Sequence, residues 1–400
     1  MVDKLISKQK IIASPLPKLN KYLSDDDIEE IMINGIDNIF IISREKGKIK
    51  LDFTFTVNEL ADYVAYVIEV TGRNFKSREF IDGILPDGSR VNIVSKNVAK
   101  EYIITLRKYT QVPLTILDLI QDETLSVDVA AYLWTIIEGF GGLKPVNIFI
   151  CGGTATGKTT FLNILLKFIP LNQRLIVIED TRELNLSSFE NSVRLVSDIS
   201  NPDNLLDITI NTLRMRPDRI IIGEVRGKEA KGLFAAMETG HDGCMATLHA
   251  NNSADVINKL LSDPMKIPEV NISLLNVIVM LKREWNWDTK KTKRRVTQVS
   301  EISRIGNINL NHIYDTGKNN DNLNSEIKLY SSKIIEEFAE FFNISKNEVI
   351  DIIGYRAQIL DHLVKTNKNK KYTTLELIDI FNQKRLNYIS ILEDIKRLKK

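Results

Sequence analysis

The sequence predicts an α/β protein. A largely parallel, three-layer sheet carries a phosphate-binding loop, with a smaller α+β domain before it and a helical extension after it. Three observations point there. From Leu125 onward, apolar strand-like runs alternate with helical segments, the pattern that builds parallel sheets covered on both faces. Within that region VNIFICGGTATGKTTFLN, Val146 to Asn163, passes from a buried strand through a glycine-rich turn into an apolar-periodic helix. That turn fits G-x-x-x-x-G-K-[ST] with Gly152, Gly157, Lys158 and Thr159.

Composition sets the bounds. A chain of 400 residues has room for roughly two to three domains. Its 54 basic and 52 acidic residues nearly cancel, so no polyanion-binding surface announces itself. Only Cys151 and Cys244 occur, which suits a reducing compartment and cannot build a four-cysteine zinc site. The opening Met1–Lys10 is polar and mixed, unlike a secretory leader. Apolar runs such as Leu274–Leu281 fall short of the ~18 residues a membrane span needs. The expectation is a cytoplasmic protein with peripheral membrane contact only.

Residues 1–112 read as the α+β domain. Ser24 with Asp27 predicts a short helix through Asp25–Met32, ended by Asn34–Gly35. Strands follow at Asn38–Ser43 and Lys48–Phe53 around the Lys46–Gly47 turn. Thr56 and Glu59 form a capping box, opening a helix with Leu60, Val64, Val67 and Ile68 on one face. Asp87–Gly88 reads as a hairpin turn into Ser89–Val94, then Glu101–Lys108. Arg73, Arg90 and Arg107 fall in these elements, and alone they read as solvated cations. The mixed stretch Gln111–Asp122, with Pro113, reads as linker, placing a hinge at 113–124.

Residues 125–312 carry the chemistry. A helix across Ser126–Phe140 leads to the loop strand and loop helix. Further strands are expected at Arg174–Glu179, Arg219–Gly223, Cys244–His249 and Val277–Lys282, with helices at Asp203–Met215 and Lys228–Glu238. Gly152, Gly153, Thr154, Ala155, Thr156 and Gly157 let backbone N–H groups curl round a polyphosphate, aided by the dipole of the helix that Lys158, Thr159 and Thr160 begin. Lys158 suits the β- and γ-phosphates and the Thr159 hydroxyl suits Mg²⁺, so ATP and Mg²⁺ are the expected ligands. Glu179–Asp180 follows the run LIVI, and Glu224 follows IIIG with Arg226 two residues on. Acids at such strand ends hold the metal or orient the attacking water. Gly223 stands where an aspartate often binds Mg²⁺, so the metal set is expected to be Thr159, Glu179, Asp180 and Glu224 with waters. His241 and His249, at either end of the strand in TGHDGCMATLHANN, suggest γ-phosphate sensing or polarisation rather than metal binding.

These motifs together resemble the ATPases that power type II and type IV secretion, type IV pili and archaella. The likeness runs from about Ser24 to Ile302 on GGTATGKTT, the Asp box IEDTREL, the Walker B region LRMRPDRIIIGEVRG and the His box TGHDGCMATLHA. DGILPDGSRVN with ITLRK is similar to the family's N-domain, most of all in its tight-adherence-pilus and archaeal branch. The resemblance implies a RecA-like ATPase domain, with Arg90 and Arg107 reaching the nucleotide and Arg73 a weaker candidate. It accounts for Gly223 before the glutamate. It also implies a homohexameric ring acting through a polytopic inner-membrane platform protein on pilin-like or secreted subunits.

The segment Val277–Ile302 reads as a hairpin with tip KREWNWDTKKTKRR. Trp285 and Trp287 among Lys282, Arg283, Lys290, Lys291, Arg294 and Arg295 suit anionic lipid or a partner, or else form a solvated hairpin whose tryptophans cover its own base. After a polar break at Gly317–Asn324, residues 313–400 read as a helical extension. It has capping boxes at Ser345/Glu348 and Thr373/Glu376 and an apolar face through Leu377, Phe381 and Ile391. A nucleic-acid motor would show a basic channel or stacking aromatics, against the near-neutral balance here. A nucleotide-switched scaffold without turnover is opposed by the intact Lys158, Thr159, Glu224 and paired histidines.

Overall fold

The computed structural model describes residues 16–25, 27–43, 46–75, 79–108, 114–197, 203–286, 291–305, 307–317 and 326–366. The chain forms two units: Met1–Pro113 with Trp285–Thr292, and Leu114–Glu284 with Lys293–Lys400.

In the first unit, β1 (Ile28–Asn34), β2 (Ile39–Ser43), β3 (Gly47–Leu51), β4 (Phe80–Ile84), β5 (Arg90–Val94) and β6 (Ile103–Arg107) make one sheet in the order β3-β2-β1-β6-β5-β4. Helix α1 (Val57–Thr71) starts at the Thr56/Glu59 capping box and stops where Gly72 turns left-handed. Its buried Leu60, Tyr63, Val64 and Val67 share a core with Ile31, Ile33, Ile39, Ile93 and Ile104. The helix expected through Asp25–Met32 does not form. Ile31 and Ile33 are buried at strand spacing, and β1 pairs on both sides, with β2 and β6. Asp25 instead accepts a hydrogen bond from the Asp27 amide at 2.9 Å, closing a turn ahead of the strand.

The second unit opens with α2 (Ile116–Gln121), which lies inside the stretch read as linker. A Thr115/Asp118 capping box starts it, and Ile116 and Leu117 are buried. Then come α3 (Val127–Gly142), β7 (Ile148–Gly152), α4 (Lys158–Leu165), β8 (Leu175–Glu179), β9 (Ser192–Val196), α5 (Asp203–Thr212) and β10 (Arg219–Val225). After these follow α6 (Glu229–Glu238), β11 (Met245–His249), α7 (Ser253–Leu261), β12 (Val277–Asn286), β13 (Lys291–Ile305), β14 (Asn307–Asp315), α8 (Lys333–Phe342) and α9 (Lys346–Thr366). The sheet order is β14-β13-β12-β7-β11-β10-β8-β9. From β12 to β9 every pairing is parallel, and β14 runs antiparallel to β13. Every residue of β7 and β8 is buried, as expected for strands covered on both faces. One face packs on α3 and α4, the other on α6 and α7, so the three-layer expectation holds.

Five elements had no named counterpart in the sequence reading: β4, α2, β9, α7 and β14. The extension is less separate than its boundary at 313 implied. Phe338, Phe342 and Leu360 lie in the same core as α3 and α4, and Phe140 stacks edge-on against Phe338 at 5.3 Å. The Ser345/Glu348 box is present, with Ser345 N donating to Glu348 Oε2 at 2.6 Å and Glu348 N to Ser345 Oγ at 3.2 Å. Trp287, Lys290, the Thr373/Glu376 box and the Leu377, Phe381 and Ile391 face lie outside the described residues.

Candidate active site

The site grows from the carboxyl ends of β7, β10 and β11. In parallel sheets the loops leaving these ends gather round a ligand. Strand β7 ends at Gly152, where an added Cβ would come within 2.4 Å of the Leu281 carbonyl oxygen, so only glycine fits. Ala155 and Gly157 then take positive φ, 58° and 87°, curling the loop back on itself. The Thr156 hydroxyl donates to Gly153 O at 3.0 Å and braces the curl. Gly157 caps α4 without a side-chain bond, so no side chain competes for the positive end of the helix. Lys158 is buried, with Nζ donating to Gly152 O at 3.2 Å and Gly153 O at 3.0 Å. Thr159 is half-buried and Thr154 and Thr160 are exposed.

Parallel register sets His249 opposite Gly152. Its ring nitrogens stand 3.2 and 3.4 Å from Lys158 Nζ, and Nε2 is 3.2 Å from Glu224 Oε1. Burial first, then the Lys158 charge, lowers the imidazole pKa below its ordinary value. Glu224 follows Gly223 at an irregularity in the β10–β11 pairing, between Ile222 and Val225. Arg226 bridges two acids, its Nη2 bonding Glu224 Oε2 and its Nη1 reaching Asp180 Oδ2 at 3.2 Å. Burial alone would raise Glu224, but the Arg226 bond and charge, with His249 and Lys158, hold it below the usual carboxylate range. Lys158, His249, Glu224, Arg226 and Asp180 therefore form one connected polar cluster above the phosphate loop.

Two expected members are engaged differently. Glu179 is 3% exposed, and its Oε1 accepts from the Glu183 and Leu184 amides at 2.8 Å each. Its Oε2 pairs with Arg194 Nε at 3.1 Å, and its Cγ lies 3.3 Å from where a Cβ on Gly223 would stand. Burial raises its pKa despite these partners. In this arrangement one carboxylate oxygen serves its own loop and the other faces Arg194, beside Gly223 at the neighbouring strand end. His241 precedes β11, at the amino edge of the sheet, and bonds Thr239 Oγ1 through Nδ1 at 3.1 Å. A strand rises ~3.3 Å per residue, so the length of β11 separates it from His249 and the loop.

Arg90 and Arg107 face each other in register across β5 and β6 of the first unit, Arg107 exposed and Arg90 half-buried. Like charges placed directly opposite in a sheet repel one another. Arg73 follows α1 and is exposed. The basic segment of β13 does not behave as a single tip: Arg295 is 6% exposed, and Arg294 Nε donates to Ala155 O of the phosphate loop at 3.3 Å. Arg226 and Arg294 are the site neighbours to which residue types alone assigned no such role. The only signal for Arg226 was its spacing from Glu224.

Among the described residues no group of three or more His, Cys, Asp and Glu could hold a metal ion. The donors instead suit Mg²⁺, which keeps several waters and takes only one or two protein ligands beside substrate phosphates. Thr159 offers a hydroxyl there, with Asp180 and Glu224 among the neighbouring acids. Among the described residues no helix is long and apolar enough to cross a membrane.

The profile of a family described as "Type II/IV secretion system protein" matches residues 16–319. An uncharacterised protein of Methanocaldococcus jannaschii is 39% identical over 254 residues, 61% of this chain and 35% of that one. A second from the same organism is 37% identical over 286 residues, 70% of this chain and 50% of that one. The chain thus spans half or less of the length of these two relatives, whose archaeal source agrees with the archaeal branch. The X-ray structure of the Legionella pneumophila ATPase DotB aligns with TM-score 0.54 and 18% identity, over 86% of this chain and 87% of that one. At that identity the likeness is one of fold.

Proposed function

The chain belongs to the type II/IV secretion system protein family, and from that premise we propose that it is a motor ATPase. It hydrolyses ATP at the GGTATGKTT loop to drive a secretion, pilus or archaellum machine. One observation carries the reading: Lys158, His249, Glu224, Arg226 and Asp180 meet at the strand ends above an uncapped helix and a loop of positive φ.

The chemistry follows from those residues. The loop amides and Lys158 bind the β- and γ-phosphates, Lys158 exchanging its carbonyl partners for phosphate oxygens. Thr159, with the neighbouring Asp180 and Glu224, would hold Mg²⁺. Mg²⁺ held there would supply positive charge against the phosphates. Glu224, ionised at neutral pH, orients the attacking water and accepts its proton. His249, kept neutral beside Lys158, senses or polarises the γ-phosphate. Arg226 bridges the two acids and orients the Glu224 carboxylate. Arg90 and Arg107 are suited to bring charge-assisted bonds to the same phosphate from the N-terminal unit, their planar forks matching its oxygens.

In this reading six copies form a ring on the cytoplasmic face of a membrane. The ring associates there peripherally and moves a polytopic platform protein that inserts or extracts filament or secreted subunits. Steady-state phosphate release tests the enzymatic core. The wild type should turn over MgATP, Lys158→Ala should lose binding and turnover, and Glu224→Gln should bind ATP but slow by about two to four orders of magnitude. Release by Glu224→Gln at the wild-type rate would remove Glu224 from the mechanism.

A further inference from the structure

Three consecutive basic residues on β13, Lys293, Arg294 and Arg295, address its two sides in turn, as successive strand residues do. Lys293 Nζ and Arg295 Nη2 both meet Glu123 Oε2, the arginine at 3.6 Å. Arg294 turns the other way. Its Nε donates to Ala155 O at 3.3 Å, and its Cδ lies 3.4 Å from where a Cβ on Gly157 would stand.

Both anchored residues hold unfavourable backbone. Glu123 has φ 53° and Ala155 has φ 58°, left-handed conformations that are unfavourable for a non-glycine residue and persist only when surroundings impose them. The Val296 amide adds a 2.7 Å bond to Thr124 O, pinning the turn that Glu123 begins. This turn ends the first helical stretch after the chain enters the second unit at Leu114, and β13 re-enters that unit at Lys293. One short strand segment therefore grips the phosphate loop on one side and the turn after α2 on the other.

We infer that Arg294 is a positioning residue of the phosphate loop, and that Lys293–Arg294–Arg295 tie this loop to Glu123, so that ATP in the loop is felt at α2 and the turn after it, with which the chain enters the second unit. The inference rests on the proposed ATP site. A polyphosphate needs the loop amides turned inward, which requires the Ala155 carbonyl to stay turned out toward Arg294. Ordering the loop tightens that bond and with it the strand that holds Glu123. Linkage makes the effect reciprocal: weakening the Glu123 grip must weaken ATP binding, although Glu123 is not among the residues that meet the nucleotide.

Hydrogen exchange of peptides covering residues 115–124 tests this in the full-length protein, with and without a saturating non-hydrolysable ATP analogue and Mg²⁺. Direct titration of the analogue runs in parallel. In the wild type the analogue should slow exchange in this segment. In Arg294→Ala the analogue should still saturate the protein, several-fold more weakly, while the slowing is lost. Arg294→Lys keeps charge and stem but lacks Nε; it should behave in the same way, and it serves if the alanine variant folds poorly. Glu123→Gln should weaken the analogue several-fold. Slowing that survives in both Arg294 variants overturns the inference, as does its absence in wild-type protein that demonstrably binds the analogue. A wild type that binds no analogue overturns the ATP reading itself, and this inference falls with it.

Discussion

At the scale of single residues, the two acids at the strand ends divide their labour by environment. Glu224 is shared among Arg226, His249 and Lys158, whereas both oxygens of Glu179 serve its own loop and Arg194. Glu179→Gln should therefore lower the melting temperature yet leave hydrolysis within about tenfold of wild type, the reverse of Glu224→Gln. Comparable loss of turnover in both, with unchanged stability, would return Glu179 to the chemistry. Arg226 supplies the principal influences lowering the Glu224 pKa against burial. Because the depressed carboxyl stays ionised as pH falls, the acid limb of the kcat/KM profile should sit low in wild type. In Arg226→Ala it should move to higher pH, since burial then acts with less opposition. An acid limb that stays in place would assign it to another group.

At the scale of elements, helices α8 and α9 belong to the core of the second unit. Arg356 of α9 and Glu138 of α3 form a buried ion pair, and the Arg356 guanidinium carbon lies 4.8 Å from the centre of the Trp134 ring. Glu138 also accepts from the Gly141 amide at 3.0 Å, holding the kink where Gly139, Phe140 and Gly141 leave helical geometry. Removing one partner leaves a buried charge unmatched. Arg356→Ala should cost about 3–5 kcal/mol of stability, whereas the paired change Glu138→Gln with Arg356→Met should cost less. Chemical denaturation of the two variants decides this, and equal losses would mean that packing rather than charge dominates.

At the scale of the whole molecule, the proposal requires assembly. Native mass measurement should find a species near six chains, favoured by ATP analogues, with specific activity rising with protein concentration. A monomer with constant activity would contradict the ring. Arg90 and Arg107 belong to one unit and the phosphate loop to the other, so the proposed arginine contacts to phosphate need the two units of one chain to close. Mixing Arg107→Ala subunits with Glu224→Gln subunits tests that closure. If arginine and glutamate act within one chain, mixed rings stay inactive. Recovered hydrolysis would show that a neighbouring chain donates the arginine.

What the sequence by itself determined was chemistry written in contiguous residues. The phosphate loop, the Thr56/Glu59 and Ser345/Glu348 capping boxes and the α1 face were all legible, because each depends on backbone geometry over a few neighbouring positions. Tertiary structure decided whatever depends on which strands lie side by side. Pairing on both sides made β1 a strand where local signals favoured a helix. Parallel register placed His249 beside Gly152 and left His241 at the far edge of the same sheet, although eight positions separate them in the chain. The neighbouring Glu183, Leu184 and Arg194 claimed Glu179. The packing of β13 carried Arg294 from an apparent hairpin tip onto the phosphate loop. In each case the deciding partner lies outside the local motif that sequence reasoning could weigh.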